Sequence, residues 1–163
     1  MGELTPTYIR HNAPNKGLYT ENGRRVKYAN LSEKKKEKVR EHINNLTDKA
    51  FDYLKDKKVT MPTDNETIDV GFTKKNLKHF IRDAYMTLSG EHLSTANIKN
   101  IDALLRRAEY IKTSHTLIHG RTDGKMMFYK YRDTTGKEVY FKVAYEPRNG
   151  AGKQYVLYSV TNR

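Results

Sequence analysis

The sequence predicts an α+β protein, with N-terminal helices packed on a C-terminal antiparallel β-meander of three to four strands. Two observations carry that expectation. Apolar residues recur with a period near 3.6 up to about residue 112. Beyond it the period falls to two, and turn-forming residues separate the alternating runs. Helices first and strands afterwards is the order of an α+β plan, not of alternating βαβ units.

A length of 163 residues suits one domain. The expected division is an irregular basic arm over residues 1–30 and one domain over 31–163, helical to about 112 and sheet from 113. Hydrophobic residues make up only 36% of the chain, so the core must be modest. Twelve Tyr and no Trp imply that tyrosine supplies much of its bulk, and each buried Tyr hydroxyl then needs a partner.

In the arm, Pro6, Pro14, Gly17 and Gly23 punctuate a polar stretch, and Asn22-Gly23 suits a short hairpin over residues 19–28. Asn30 or Ser32 can cap a helix running to about residue 56, with Leu31, Val39, Ile43, Leu46, Ala50, Phe51 and Leu54 close to helical spacing on its apolar side. Lys34, Lys35, Lys36, Lys38 and Arg40 lie on its outer faces. Residues 61–69 read as a loop, with a short strand over 67–72. Asp64, Glu66 and Asp69 match no calcium-loop spacing and read as turn chemistry.

Thr73 caps a helix from residue 74 to about 88, with Leu77, Phe80, Ile81, Ala84, Tyr85 and Leu88 on its buried side, and Ser89-Gly90 ends it. Ser94 or Thr95 starts another, in which Ile98, Ile101, Leu104, Leu105 and Ala108 keep helical spacing to about residues 110–114. Strands are expected over 126–132, 138–146 and 154–162, with residues 115–120 adding a possible fourth.

The net charge of +12 narrows the functional classes. It is +6 over residues 1–60 (14 basic, 8 acidic), +1 over 61–112 (8 and 7) and +5 over 113–163 (9 and 4). A basic strand region with interleaved aromatics is the footprint of a polyanion binder, and the plain alternative is a surface charged for solubility. No apolar run approaches the roughly 20 residues of a membrane helix, and residues 1–17 carry no secretory apolar segment. The absence of cysteine removes disulfides and thiolate metal sites; it fits a reducing cytosol, or a chain that must unfold to cross a membrane.

RNA can be cut without a metal because its 2′-hydroxyl is an internal nucleophile. An imidazole suits the proton transfers, and Lys or Arg the charge that develops on phosphorus. His79 is the leading candidate, although beside Leu77, Phe80 and Ile81 it equally suits a boundary histidine packed on the sheet. His115 and His119 are four apart, placed as ligands, as a catalytic pair or as surface residues. His11 and His42 read as solvated and His92 as structural. No His pair has the helical spacing and carboxylate of a zinc site, so no metal or other cofactor is expected. Lys130, Arg132 and Lys142 on the strands, with Ser159 and Thr161 on the last one, are candidates to hold and orient a phosphate. An exposed, charged sheet face is their bland alternative.

The run Phe72-Thr-Lys-Lys-Asn-Leu-Lys78-His79-Phe80, a second amphipathic helix and a meander closing on Tyr155-Val-Leu-Tyr-Ser159-Val-Thr161 resemble the barnase–EndoU–colicin–RelE (BECR) nuclease superfamily, in its phage and polymorphic-toxin branch. The resemblance covers about residues 67–163. It implies an RNA-cleaving toxin or phage-borne effector acting in the cytoplasm, with an acidic immunity protein as partner. The family's Lys-His pair would fall on Lys78 and His79, its basic strand residue on Lys130 or Lys142, and its terminal hydroxyl on Ser159 or Thr161. A second His often found in that helix is replaced here by Ala84 and Tyr85. The expected site is therefore His79, Lys142, Ser159 and Thr161 for chemistry, with Lys78, Arg82, Lys130, Arg132 and Tyr145 holding substrate. The competing expectation is a non-catalytic module binding single-stranded RNA through its Tyr and Lys strands; a protein-interaction adaptor is a third.

Overall fold

The computed structural model describes residues 9–10, 17–18, 27–86, 95–115, 124–132, 136, 138–147 and 154–161. Asn22-Gly23, Ser89-Gly90, Ser94, His11, His92 and His119 lie outside them. So do the side chains of Tyr85 and Thr161.

Within the arm, β1 (Ile9–Arg10) and β2 (Gly17–Leu18) form a short antiparallel ladder, and a 3-10 turn follows at Tyr28–Asn30. Helix α1 spans Glu33–Leu54. The Ser32 hydroxyl accepts from the Lys35 backbone N–H at 3.3 Å, as the capping reading requires. Val39, Ile43, Leu46, Ala50 and Leu54 are all buried on one side; Lys34, Lys35 and Lys38 are exposed, and Lys36 is half-buried over the Tyr28 ring.

The next residues hold the short strand expected over 67–72 and, before it, a partner strand that was not expected. β3 (Val59–Pro62) and β4 (Thr67–Gly71) form a hairpin, its turn closed by the Thr63 N–H donating to the Glu66 carbonyl and the Thr63 hydroxyl donating to the same oxygen. Pro62 falls at the strand's end and on an outer strand, where its missing N–H breaks no ladder. α2 (Lys74–Met86) follows, with the Asn76 N–H on the Thr73 hydroxyl and Leu77, Phe80, Ile81 and Ala84 buried.

The helix expected through residues 95–110 divides into α3 (Thr95–Lys99) and α4 (Ile101–Leu105), because Asn100 leaves the helical region at φ −113°, ψ 40°. β5 then starts at Glu109 and runs to His115. Tyr110, Ile111 and Thr113 favour a strand, and pairing to β6 (Lys125–Arg132) decides between that preference and the helical spacing. β7 (Glu138–Tyr145) and β8 (Tyr155–Thr161) complete the fold.

The chain is therefore α+β, but its sheet is not a simple antiparallel meander of three or four strands. Six strands run in the order β3-β4-β8-β7-β6-β5, and β4 pairs parallel to β8, at Val70 with Tyr155 and Gly71 with Val156. Strand β3 and the start of β5 also fall in the stretch expected to be mainly helical, whereas β4 is the short strand expected over 67–72. The helices cover one face: Met127, Tyr129, Val139, Phe141, Val143, Leu157 and Val160 share a core with the apolar stripes of α1, α2, α3 and α4. Tyr129 is wholly buried there, and its hydroxyl donates to the Pro62 carbonyl at 2.8 Å. Burial, with Tyr110 and Tyr155 nearby, pushes that hydroxyl's pKa well up. This is how a tyrosine-rich core satisfies its polar tips.

One irregularity shapes the other face. Lys142 pairs with Ser159 and Val143 with Leu157, so Tyr158 is an extra residue on β8. The bulge sends both Leu157 and Val160 into the core although they are three apart, and it turns Tyr158 toward the second face. There Met126, Ala144 and Val156 form a small buried patch flanked by Phe128 and Tyr158.

Candidate active site

α2 lies along β8, and His79 leaves the helix beside its buried stripe to meet the bulge. Its Nδ1 is 3.1 Å from the Tyr158 backbone carbonyl, and its ring lies 4.9 Å from the Tyr158 ring. A carbonyl oxygen only accepts, so Nδ1 must carry the hydrogen and Nε2 is left to take or give a proton. The side chain is 43% exposed, so the ring is neither sealed in hydrocarbon nor turned away from the strands.

The sequence reading missed Asp83. Its Oδ2 is 3.7 Å from His79 Nδ1, one helical turn on, with 29% of its side chain exposed. The signal was present: residues at i and i+4 share a helix face. Burial raises the Asp83 pKa above its ordinary value, against the pull of His79, then Arg82, then Lys142. The response to Lys142 puts that cation of β7 in the same electrostatic neighbourhood as the imidazole.

The remaining expected residues divide. Ser159 sits opposite Lys142 in register but is only 5% exposed, so it is a packed neighbour of the site and not an open hydroxyl. Thr161 is opposite Tyr140 in register. Lys130 and Arg132 share the face of Lys142, yet Glu138 engages both, at 3.6 and 3.2 Å. Desolvation works the other way, but the Tyr140 hydroxyl and these two cations hold the Glu138 carboxyl below its usual range. Lys78 and Arg82 line a cleft of about 210 Å³ between α1 and α2, with Tyr28, Arg40, Ile43 and Asn44. They are thus not gathered around His79, although Arg82 still acts on Asp83. Tyr145 alternates onto the helix-covered face, where its ring packs 5.1 Å from Tyr155, so it does not join Lys142. His115 ends β5 in a separate cleft beside Asp64, Glu66 and Lys125. Among the described residues no three His, Asp or Glu side chains converge as a metal would require.

No family model matches the chain, and no curated protein or solved structure matches it. What the site can do follows from its own chemistry: an oriented imidazole with a proton-active Nε2, a carboxylate behind it, and a lysine in reach of the same field.

Asp83→Asn separates the roles of that carboxylate. The folded state holds the Asp83 proton more tightly than the unfolded chain does. Stability therefore falls as pH rises through the interval from the ordinary to the raised value, and ionised Asp83 is a net cost above it. The substitution is expected to raise Tm at pH 7, by thermal melt. If His79 performs acid–base catalysis, it should also slow turnover about 10-fold or more, the size of effect an orienting partner has on a ligated or reactive His. A fall in both stability and turnover would make Asp83 a structural residue only.

Proposed function

We propose that the chain is an endoribonuclease that needs no metal ion and cuts RNA by general acid–base chemistry at His79. The observation that carries this reading is the exposed imidazole whose Nδ1–H is engaged by the Tyr158 carbonyl beside Asp83, leaving Nε2 for proton transfer. Nε2 takes the proton of a ribose 2′-hydroxyl. The 2′-oxygen bonds to the adjacent phosphorus, the bond from phosphorus to the 5′-oxygen breaks, and that oxygen gains a proton from the imidazolium or from solvent at the open side of the ring. The products are a 2′,3′-cyclic phosphate and a 5′-hydroxyl. Lys142 offsets the negative charge that builds on the phosphoryl oxygens, and the Asp83 carboxylate supports the imidazolium. Membership of the BECR superfamily, in its toxin branch, belongs to the same proposal and rests on the Lys78-His79 run and the closing strand. An acidic inhibitor is the partner that a net charge of +12 would capture fastest.

The test is incubation of RNA with the chain in excess EDTA, followed by analysis of fragment ends. Fragments with 2′,3′-cyclic phosphate and 5′-hydroxyl ends are expected. Intact RNA, bound with strong salt dependence, would replace this reading with the non-catalytic binding module.

A further inference from the structure

The face of the sheet opposite the main helical core carries a row of paired residues: Lys112 opposite Phe128, Phe128 opposite Lys142, Lys142 opposite Ser159. Residues directly opposed in register project from the same side. Lys112 Nζ lies 5.2 Å and Lys142 Nζ 5.7 Å from the centre of the Phe128 ring, so one aromatic ring stands between two cations. Phe128 is half-buried and seated on Met126, Ala144 and Val156. The row ends at the bulge that holds Tyr158 and, through it, His79.

An aromatic ring between lysines, on a floor of small apolar side chains, is suited to a flat partner that carries negative charge at its rim. We infer that Phe128 is a stacking platform for one base of a single-stranded RNA, with Lys112 and Lys142 taking the phosphates on either side. This rests on the nuclease reading for its placement of the scissile phosphate, and it names the substrate class: unpaired RNA. From β6 to β8 is two strand spacings, roughly 10 Å, so a base on Phe128 leaves a neighbouring phosphate within reach of the His79 end of the row. In the free chain the two ammonium groups lie against the ring. Their hold there is weak at an exposed site, and their flexible stems let them swing to phosphate when a base takes the ring face. A duplex cannot use the platform, because its bases are stacked on one another and paired. Stacking tolerates any base, so the platform selects strandedness and not sequence.

The experiment measures binding apart from cleavage. The full chain carrying His79→Ala is titrated into a fluorescent 12-mer of uridine and into an RNA hairpin with a paired stem of the same length, by anisotropy. Adding Phe128→Ala is expected to weaken single-strand binding about 10- to 100-fold, as loss of one base–aromatic stack does, with hairpin affinity changed less than 3-fold. Phe128→Tyr should restore the single-strand affinity. Lys112→Gln should flatten the salt dependence by about 0.7 of a logarithmic slope unit, one phosphate contact on a single strand. Should Phe128→Ala fail to fold, Phe128→Leu keeps apolar bulk without a ring face and is read in its place. Unchanged single-strand affinity, or equal losses on both RNAs, overturns the platform even if the wild-type chain cleaves. A wild-type chain that leaves RNA intact while Phe128→Ala still costs single-strand affinity would sink the nuclease reading and keep the platform.

Discussion

His79→Ala is expected to slow RNA cleavage by about 10²–10⁴-fold, the usual contribution of one general acid–base group, with little change in Tm. The side chain is 43% exposed, and the contacts described for it are one hydrogen bond, one carboxylate and one ring. Trimming it therefore removes little buried area. The variant that decides between chemistry and packing is His79→Asn. Its side-chain amide can still donate to the Tyr158 carbonyl, as Nδ1–H does, but it carries no group that titrates near neutrality. It should be as inactive as the alanine variant. If His79→Asn kept more than a tenth of wild-type turnover, the imidazole would be a strut and the proton carrier would have to be sought elsewhere. Initial rates on a short labelled RNA, with melting curves on the same preparations, measure both quantities.

Phe141→Ala is expected to cost about 3–5 kcal/mol of folding stability. For a chain of this size that lowers Tm by roughly 6–20 °C. Phe141 is completely buried in the middle of β7, and its ring centre lies 6.3 Å from that of Phe80, which α2 places against the sheet. Deleting the ring leaves a cavity beneath the helix that carries His79 and Asp83. Turnover should thus drop even at temperatures where the variant remains folded, because α2 loses the packing that sets its distance from β8. Urea denaturation gives the stability change. A loss below 1 kcal/mol would show that the helix is not seated on Phe141 as described.

Much of this was legible in the residues. Val39, Ile43, Leu46, Ala50 and Leu54 mark α1, and Thr73 marks the start of α2. The two-residue alternation marks β6, β7 and β8. What could not be read depends on partners distant in sequence. Val59 to Pro62 is a short run with a proline, and it becomes a strand only because β4 supplies the ladder. Ile101, Leu104, Leu105 and Ala108 extend a helical spacing that β5 then ends, since Tyr110 to Thr113 gain more by pairing with β6.

The site shows the same division. His79 and Lys142 stand out as candidates by their chemistry alone, but the bulge that aims Tyr158 at the imidazole exists only in the paired sheet. Lys78 and Arg82 precede and follow His79 by one and three residues, roughly 100° and 300° around the helix, which carries them to the α1 side. Tyr145 differs from Lys142 by an odd number of positions and so takes the opposite face. Lys130 and Arg132 have the right face, and Glu138 across the hairpin was the sign that they are already engaged.

The parallel join of β4 to β8 has a temporal consequence. Val70 finds Tyr155 only after α2 and every intervening strand have been synthesised, and closing so long a loop is the slow kind of contact. Until β8 inserts between β4 and β7, α2 has no bulge to face and the imidazole no carbonyl to fix its proton. On the nuclease proposal, proton transfer at His79 is therefore a property of the paired sheet, gained only when β8 has joined it.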